Sequence, residues 1–165
     1  DGLADKRIAV IGAGGVARAV VAGFAHHGAT IVIYNRTVER AEQLAGEFRT
    51  DGSKIVAAPL DKLCQSCAEV FINCTSVGMH PNVDDTPMPD LPDHFGGGSV
   101  VFDTIYNPTE TRLLREAKAA GAITINGVDM FVRQGAAQFR QWSGQSPPIR
   151  RFKSEMLQQL IKSKH

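Results

Sequence analysis

Gly12, Gly14 and Ala17 stand at the spacing G-x-G-x-x-A, directly after the apolar run Ile8-Ala9-Val10-Ile11 and ahead of a helical stretch. Residues set this way do their chemistry with the backbone. Gly12 permits a tight turn, Gly14 lets the main chain approach a ligand, and Ala17 lets the next helix lie close on a sheet. A helix starting there offers unpaired N–H groups and a partial positive charge, which suit a pyrophosphate. The glycines alone would fit a strand-to-helix turn in any α/β protein. The apolar runs on both sides make them a dinucleotide fingerprint.

The second apolar run, residues 30–34, ends at Asn35-Arg36-Thr37, where such a fold meets the adenosine ribose. A carboxylate there would accept hydrogen bonds from a free 2′-hydroxyl and would repel a 2′-phosphate. This sequence has none. Arg36, and Arg40 one turn later, can hold a 2′-phosphate with forked, charge-assisted hydrogen bonds. Thr37 suits the N-cap of the helix over 38–48, and its hydroxyl offers the phosphate a further partner. The ligand expected is NADP rather than NAD. The bland alternative leaves Arg36 and Arg40 as solvated surface charges.

These residues need elements to hold them. Strands are expected at 7–11, 30–34, 54–57, 69–73, 99–103 and 123–125. Helices are expected at 16–26, 38–48, 108–120, 130–142 and 151–161, with a short one at 60–63. The strands are rich in Val and Ile without alternation, so burial on both faces is expected, as in a parallel sheet. Gly28 and Gly121 fall where helix C-caps belong. The whole is a Rossmann-like, doubly wound parallel α/β sheet of about six strands with helices on both faces. Its ligands bind at the carboxyl ends of the strands. The last helix carries Phe152, Met156, Leu157, Leu160 and Ile161 at helical spacing and is expected to pack on its own sheet.

The 165 residues are expected to form one domain, residues 1–165, with its own core. A hydrophobic share of 43% and a net charge of +1 give no support for a nucleic-acid or membrane partner. No apolar run approaches the roughly 20 residues that span a bilayer, and the N-terminus is not a signal peptide. The three cysteines, an odd number, suit a reducing cytoplasm. Cys64 and Cys67 form a C-x-x-C without a second Cys or His cluster, so no metal site is expected. The chain opens on Asp1 without a Met and reads as a piece of something longer.

Three loops should face the ligand. They are Asn73-Cys74-Thr75-Ser76-Val77-Gly78-Met79, Asp103-Thr104-Ile105-Tyr106-Asn107-Pro108, and Asn126-Gly127-Val128-Asp129-Met130 with Gln134 one turn on. Their hydroxyls, amides and glycines suit a sugar, an amide and a nicotinamide ring, although the same residues also make ordinary turns. With the stretch from Gly12 to Ala19, Asn35-Arg36-Thr37, and the run from Gly127 to Gln134, they resemble the C-terminal NADP-binding domain of the shikimate dehydrogenase family. Met79-His80-Pro81-Asn82-Val83 and Met130-Phe131-Val132-Arg133-Gln134 look most like the version fused behind a type I dehydroquinate dehydratase.

That resemblance implies reversible reduction of 3-dehydroshikimate to shikimate by NADPH, in aromatic amino-acid biosynthesis. By matching positions, Gly14, Gly15, Val16 and Ala17 would cradle the pyrophosphate, and Asn35, Arg36, Thr37 and Arg40 the adenosine phosphate. Thr75, Ser76 and Val77 would lie along the cofactor, Gly127 and Met130 near the nicotinamide. Tyr106 and Gln134 would reach the substrate; as residues alone they also read as a half-buried aromatic and a helix-surface amide. The family's catalytic lysine and aspartate belong to an N-terminal substrate lobe that nothing in this chain matches. Lys54, Lys62 and Lys118 lie away from the cofactor loops, and hydride delivery to a ketone needs a proton donor. No catalytic residue is therefore assigned on this chain, which is expected to bind NADP and turn over little alone. Two other readings stand beside this one: a quinate or shikimate dehydrogenase using NAD, and a non-catalytic module that senses a dinucleotide or metabolite. The joint presence of Tyr106, Met130 and Gln134 favours the enzyme.

Overall fold

The computed structural model describes residues 2–90, 95 and 97–162. Six strands, β1 (Arg7–Ile11), β2 (Thr30–Asn35), β3 (Lys54–Pro59), β4 (Val70–Asn73), β5 (Val100–Asp103) and β6 (Ile123–Ile125), form one sheet in the order β3-β2-β1-β4-β5-β6. Every pairing is parallel. The chain runs outward from β1 to β3, then crosses back to β4 and runs outward the other way. That reversal opens a crevice at the carboxyl ends of β1 and β4, where ligands of doubly wound folds bind.

Among the described residues five helices accompany the sheet: α1 (Gly15–His26), α2 (Val38–Phe48), α3 (Arg112–Ala119), α4 (Val128–Ser143) and α5 (Ile149–Lys162). A 3₁₀ turn spans Leu60–Gln65. On one sheet face α1 and α2 bury Ala17, Val21, Ala41, Leu44 and Ala45 against Ile8, Val10, Ile31, Ile33 and Ile55. On the other, Leu63, Met88, Leu113, Leu114 and Ala117 cover Ala9, Ile11, Phe71 and Val101. Each fully buried branched or aromatic side chain contributes about 1.5–3 kcal/mol. Gly28 and Gly121 sit one residue past the cap residues His27 and Ala120, with φ of +74° and +86°. They are the left-handed residues that end α1 and α3.

Several boundaries differ from the sequence reading. α3 begins at Arg112, not 108, because Thr111 occupies its N-cap and its hydroxyl accepts from the Leu114 N–H at 3.3 Å. α4 begins at Val128, whose N–H donates to Asn126 Oδ1 at 3.2 Å. α5 starts at Ile149 rather than 151, since the Pro148 carbonyl accepts from the N–H groups of Arg151 and Phe152.

Two larger expectations are corrected. Burial on both faces holds for β1 beyond Arg7 but not for the far half of the sheet. Val100 and Phe102 of β5 are only partly covered, and Ile123 and Ile125 of β6 are 60% and 47% exposed. Val100, Phe102 and Ile125, with Leu3, Phe24, Val70 and Ile72, line an apolar groove of about 380 Å³ on the α1 side. α5 does not cover it: the main neighbour of α5 is α4, not a strand. Phe139 and Phe152 meet edge to face at 5.9 Å, and Lys153 pairs with Asp129 at 2.8 Å. Helical spacing alone makes an apolar stripe but does not say which surface receives it.

Candidate functional site

The glycine turn closes on its neighbours through the backbone. The Gly12 N–H donates to the Tyr34 carbonyl and the Cys74 N–H to the Ile11 carbonyl, both at 2.8 Å, tying together the ends of β2, β1 and β4. Gly12 has φ of +105°, and a Cβ there would lie 2.9 Å from Thr75 Cγ2 and 3.3 Å from the Cys74 carbonyl. Only glycine fits. At Gly14 and Gly15 a Cβ would meet nothing within 4 Å, so the protein's own packing does not demand glycine at either position. The space a side chain would fill there opens outward from the N-terminus of α1. No side chain caps that terminus, and its first turn carries no acidic residue. Such an end suits a phosphate. Ala17, fully buried, lets α1 sit on the sheet as expected.

A groove of about 490 Å³ runs from this turn across the end of β2 and the loop after β4. It brings together Gly12, Gly14, Asn35, Arg36, Arg40, Thr75, Ser76 and Val77, all of them expected there, and adds Ala13, Tyr34, Leu60 and Cys74. Arg36 and Arg40 are exposed, and no ion pair among the described residues engages either. Arg18, by contrast, is taken by Glu47 at 2.8 Å. Two uncommitted guanidinium groups beside the last residues of β2, without a carboxylate, fit a phosphate monoester. Thr37 occupies the N-cap of α2, but its hydroxyl makes no capping bond. Asn35 stabilises the turn instead, its Nδ2 donating to the Thr37 carbonyl at 2.7 Å.

Beyond β4 the site is built from side chains. Register places Asn73 beside Asp103, both fully buried. Asp103 Oδ1 accepts from Asn73 Nδ2 at 3.1 Å and the Ile105 N–H at 3.0 Å, and Oδ2 accepts from the Thr111 hydroxyl at 2.7 Å. Asn73 Oδ1 accepts from the Thr75 N–H at 3.0 Å and its hydroxyl at 2.7 Å, and the Thr104 hydroxyl donates to the Asn73 carbonyl at 2.8 Å. Burial pushes the Asp103 carboxyl above its ordinary value, against the pull of the three donors. Burial, with the Asp103 charge adding to it, pushes the Cys74 thiol up to about 12, so this thiol stays protonated. Cys64 and Cys67 are exposed, and all three cysteines are free. Among the described residues no group of His, Cys, Asp and Glu has a metal-binding arrangement.

Tyr106, Gly127, Met130 and Gln134 do not line the groove; they belong to the next strand ends. Gly127 packs so tightly that a Cβ would come within 2.7 Å of the Ile105 carbonyl oxygen, and its N–H donates to that carbonyl at 3.1 Å. Tyr106 stacks on Phe131 of α4, ring centroids 4.1 Å apart. Met130 is half-buried, and Gln134 is exposed on α4. Asp103, Asn73 and Thr111 carry the scaffold of this side; the sequence reading put Asn73 and Asp103 in loops facing the ligand, but both are fully buried and bond within the protein. The available signal was an Asp and an Asn each ending an apolar strand, where burial compels partners.

Strand order, glycine turn and groove place the protein in the Rossmann-type α/β class. The chain belongs to the shikimate/quinate 5-dehydrogenase family, whose model matches residues 1–111; a model of the shikimate 5′-dehydrogenase C-terminal domain matches residues 127–160. It is 47% identical over 159 residues to the shikimate dehydrogenase (NADP(+)) of Methanosarcina mazei, covering 94% of this chain and 56% of that protein. Among solved structures it is similar to a shikimate dehydrogenase in complex with NADP+, with 40% identity, TM-score 0.85, and 95% and 55% of the two chains covered. It is also similar to the quinate dehydrogenase of Corynebacterium glutamicum in complex with NAD, with 28% identity, TM-score 0.82, and 93% and 55% covered. The chain thus spans just over half the length of the relatives it matches.

Proposed function

We propose that this chain is the NADP-binding part of a shikimate dehydrogenase, which reversibly reduces 3-dehydroshikimate to shikimate in aromatic amino-acid biosynthesis. The observation that carries the reading is the groove in which an open glycine turn faces two unengaged arginines, Arg36 and Arg40. Gly14, Gly15, Val16 and Ala17 hold the pyrophosphate, and Arg36, Arg40, Asn35 and Thr37 the 2′-phosphate. Thr75, Ser76 and Val77 run along the cofactor, and Gly127 and Met130 lie by the nicotinamide. When bound, NADPH supplies a hydride. Tyr106 and Gln134 reach the substrate from this side.

No general acid is assigned on this chain. In this reading an N-terminal substrate lobe of the same protein supplies the lysine and aspartate. Support comes from the length of the relatives and from the uncovered apolar half-face of β5 and β6, which asks for a partner surface. Residues 1–165 form the single cofactor-binding domain, cytoplasmic as its free thiols fit. No described helix is long and apolar enough to cross a membrane. The runs Met79-His80-Pro81-Asn82-Val83 and Met130-Phe131-Val132-Arg133-Gln134 support a parent fused behind a type I dehydroquinate dehydratase.

Calorimetry with both cofactors tests the core of this. Replacing Arg36 and Arg40 together by Ala removes the charge-assisted bonds to the 2′-phosphate and weakens NADP by about 100-fold while leaving NAD nearly unchanged. Equal losses for the two cofactors would overturn the clamp and favour the NAD-dependent quinate reading. Strong shikimate-dependent NADPH formation by the 165 residues alone would show that the acid lies on this chain.

A further inference from the structure

The carboxyl ends of β1 and β2 offer a ligand backbone and free cations, whereas the ends of β4 and β5 are knitted by a buried side-chain network. Its centre is Asp103, which has no solvent exposure and has both oxygens occupied. Removing a carboxylate from water costs several kcal/mol, and a strand end that only had to be apolar would carry no such group. What the network yields is a single arrangement of its members. One bond, from the Ile105 N–H, sets the backbone beside Tyr106. Another, from Asn73 Nδ2, orients an amide that in turn holds the Thr75 N–H and hydroxyl and the Val77 carbonyl. The third anchors Thr111, the N-cap of α3.

We propose that Asp103 is a positioning residue for the nicotinamide half of the site, holding the turn after β4 and the turn after β5 at one separation before a ligand arrives. The proposal rests on the NADP reading above. It assigns to a single buried group the pre-organisation of two loops that touch the ligand from different strands. In a doubly wound fold each half of the sheet receives one mononucleotide, so this device serves the half remote from the Arg36 and Arg40 clamp.

The test compares two ligands on the same chain by calorimetry: NADP, and adenosine 2′,5′-bisphosphate, which carries the clamped phosphate but lacks the nicotinamide half. The wild-type chain binds NADP more tightly. Asp103→Ala weakens NADP by about tenfold through three unsatisfied donors and a loosened pair of loops. The bisphosphate stays within about twofold, because among the described residues no hydrogen bond of the network reaches Arg36 or Arg40. Asp103→Asn keeps the shape and one acceptor oxygen and recovers most of the loss. Should Asp103→Ala prove unfolded by circular dichroism, Asp103→Asn and Thr111→Val carry the same comparison, each with a smaller loss confined to NADP. Equal losses for both ligands, no loss for either, or a wild type that does not distinguish them would each overturn the proposal. Failure of folded wild type to bind either ligand would remove the NADP reading itself, a result separate from any ligand-selective outcome.

Discussion

The two halves of the sheet solve the same task with different materials. From β1 to β3 the strand ends present main chain and exposed charge: an uncapped helix start, a glycine whose missing side chain leaves open space, and two arginines that no ion pair among the described residues engages. From β4 to β6 the strand ends present side chains already bonded to one another, with Asp103, Asn73, Thr75 and Thr111 joined across 38 residues. Exposed backbone N–H groups and guanidinium groups are bonded to water until an anion takes its place. A buried carboxylate must be satisfied whether or not a ligand is there. The polar groups of the first half therefore face outward to water, whereas those of the second bond within the protein. They also differ in cover: α1 and α2 close one face over β1 to β4, with Ile72 of β4 fully buried, while the continuation of that face over β5 and β6 stays open.

Glycine substitutions break the comparison most sharply. In Gly127→Ala the new methyl runs into the Thr104 and Ile105 carbonyls, which are backbone and cannot swing aside. The expected cost is about 3 kcal/mol of stability, seen as a lowered denaturant midpoint. Gly14→Ala is the converse. The methyl meets no protein atom, so stability changes by less than about 0.5 kcal/mol, while affinity for NADP and NAD alike falls about tenfold as the methyl enters ligand space. A Gly14→Ala protein that unfolds but still binds would mean that the turn is structural rather than a cradle.

The smallest effect concerns pH. Folding raises the Asp103 carboxyl above its ordinary value of 3.8, so the native state holds this proton more tightly than the unfolded chain. Its contribution is present below 3.8 and is lost as pH rises through the elevated folded value. Comparing the wild type with Asp103→Asn by urea titration isolates it. The stability difference should move against the wild type as pH rises through the acid range, by at most about 1.4 kcal/mol per pH unit. A difference that is flat with pH, or that moves the other way, would show that the three donors outweigh burial.

Most of the fold was legible because its signals act over short stretches of chain. The apolar run into Gly12, the C-terminal glycines Gly28 and Gly121, and the alternation of strand and helix each depend on neighbours a few residues away. All six strands appeared where expected, within two residues at each end. The helix expected from 108 begins at Arg112 instead, because Thr111, held by a carboxylate from another strand, sets the cap. The site was legible to the same extent. The glycine turn and the arginines share a groove, whereas nothing local announces that Tyr106 will stack on Phe131.

By itself, then, the sequence determined the glycine turn ahead of α1, the cationic end of β2 and the parallel architecture, since these follow from backbone geometry and nearest neighbours. Only the tertiary structure decided that Asp103 and Asn73 would lie side by side, that α5 would pack on α4, and that part of one sheet face would stay bare. Those outcomes depend on strand register and on which surfaces reach each other, contacts between residues tens of positions apart that no local pattern encodes.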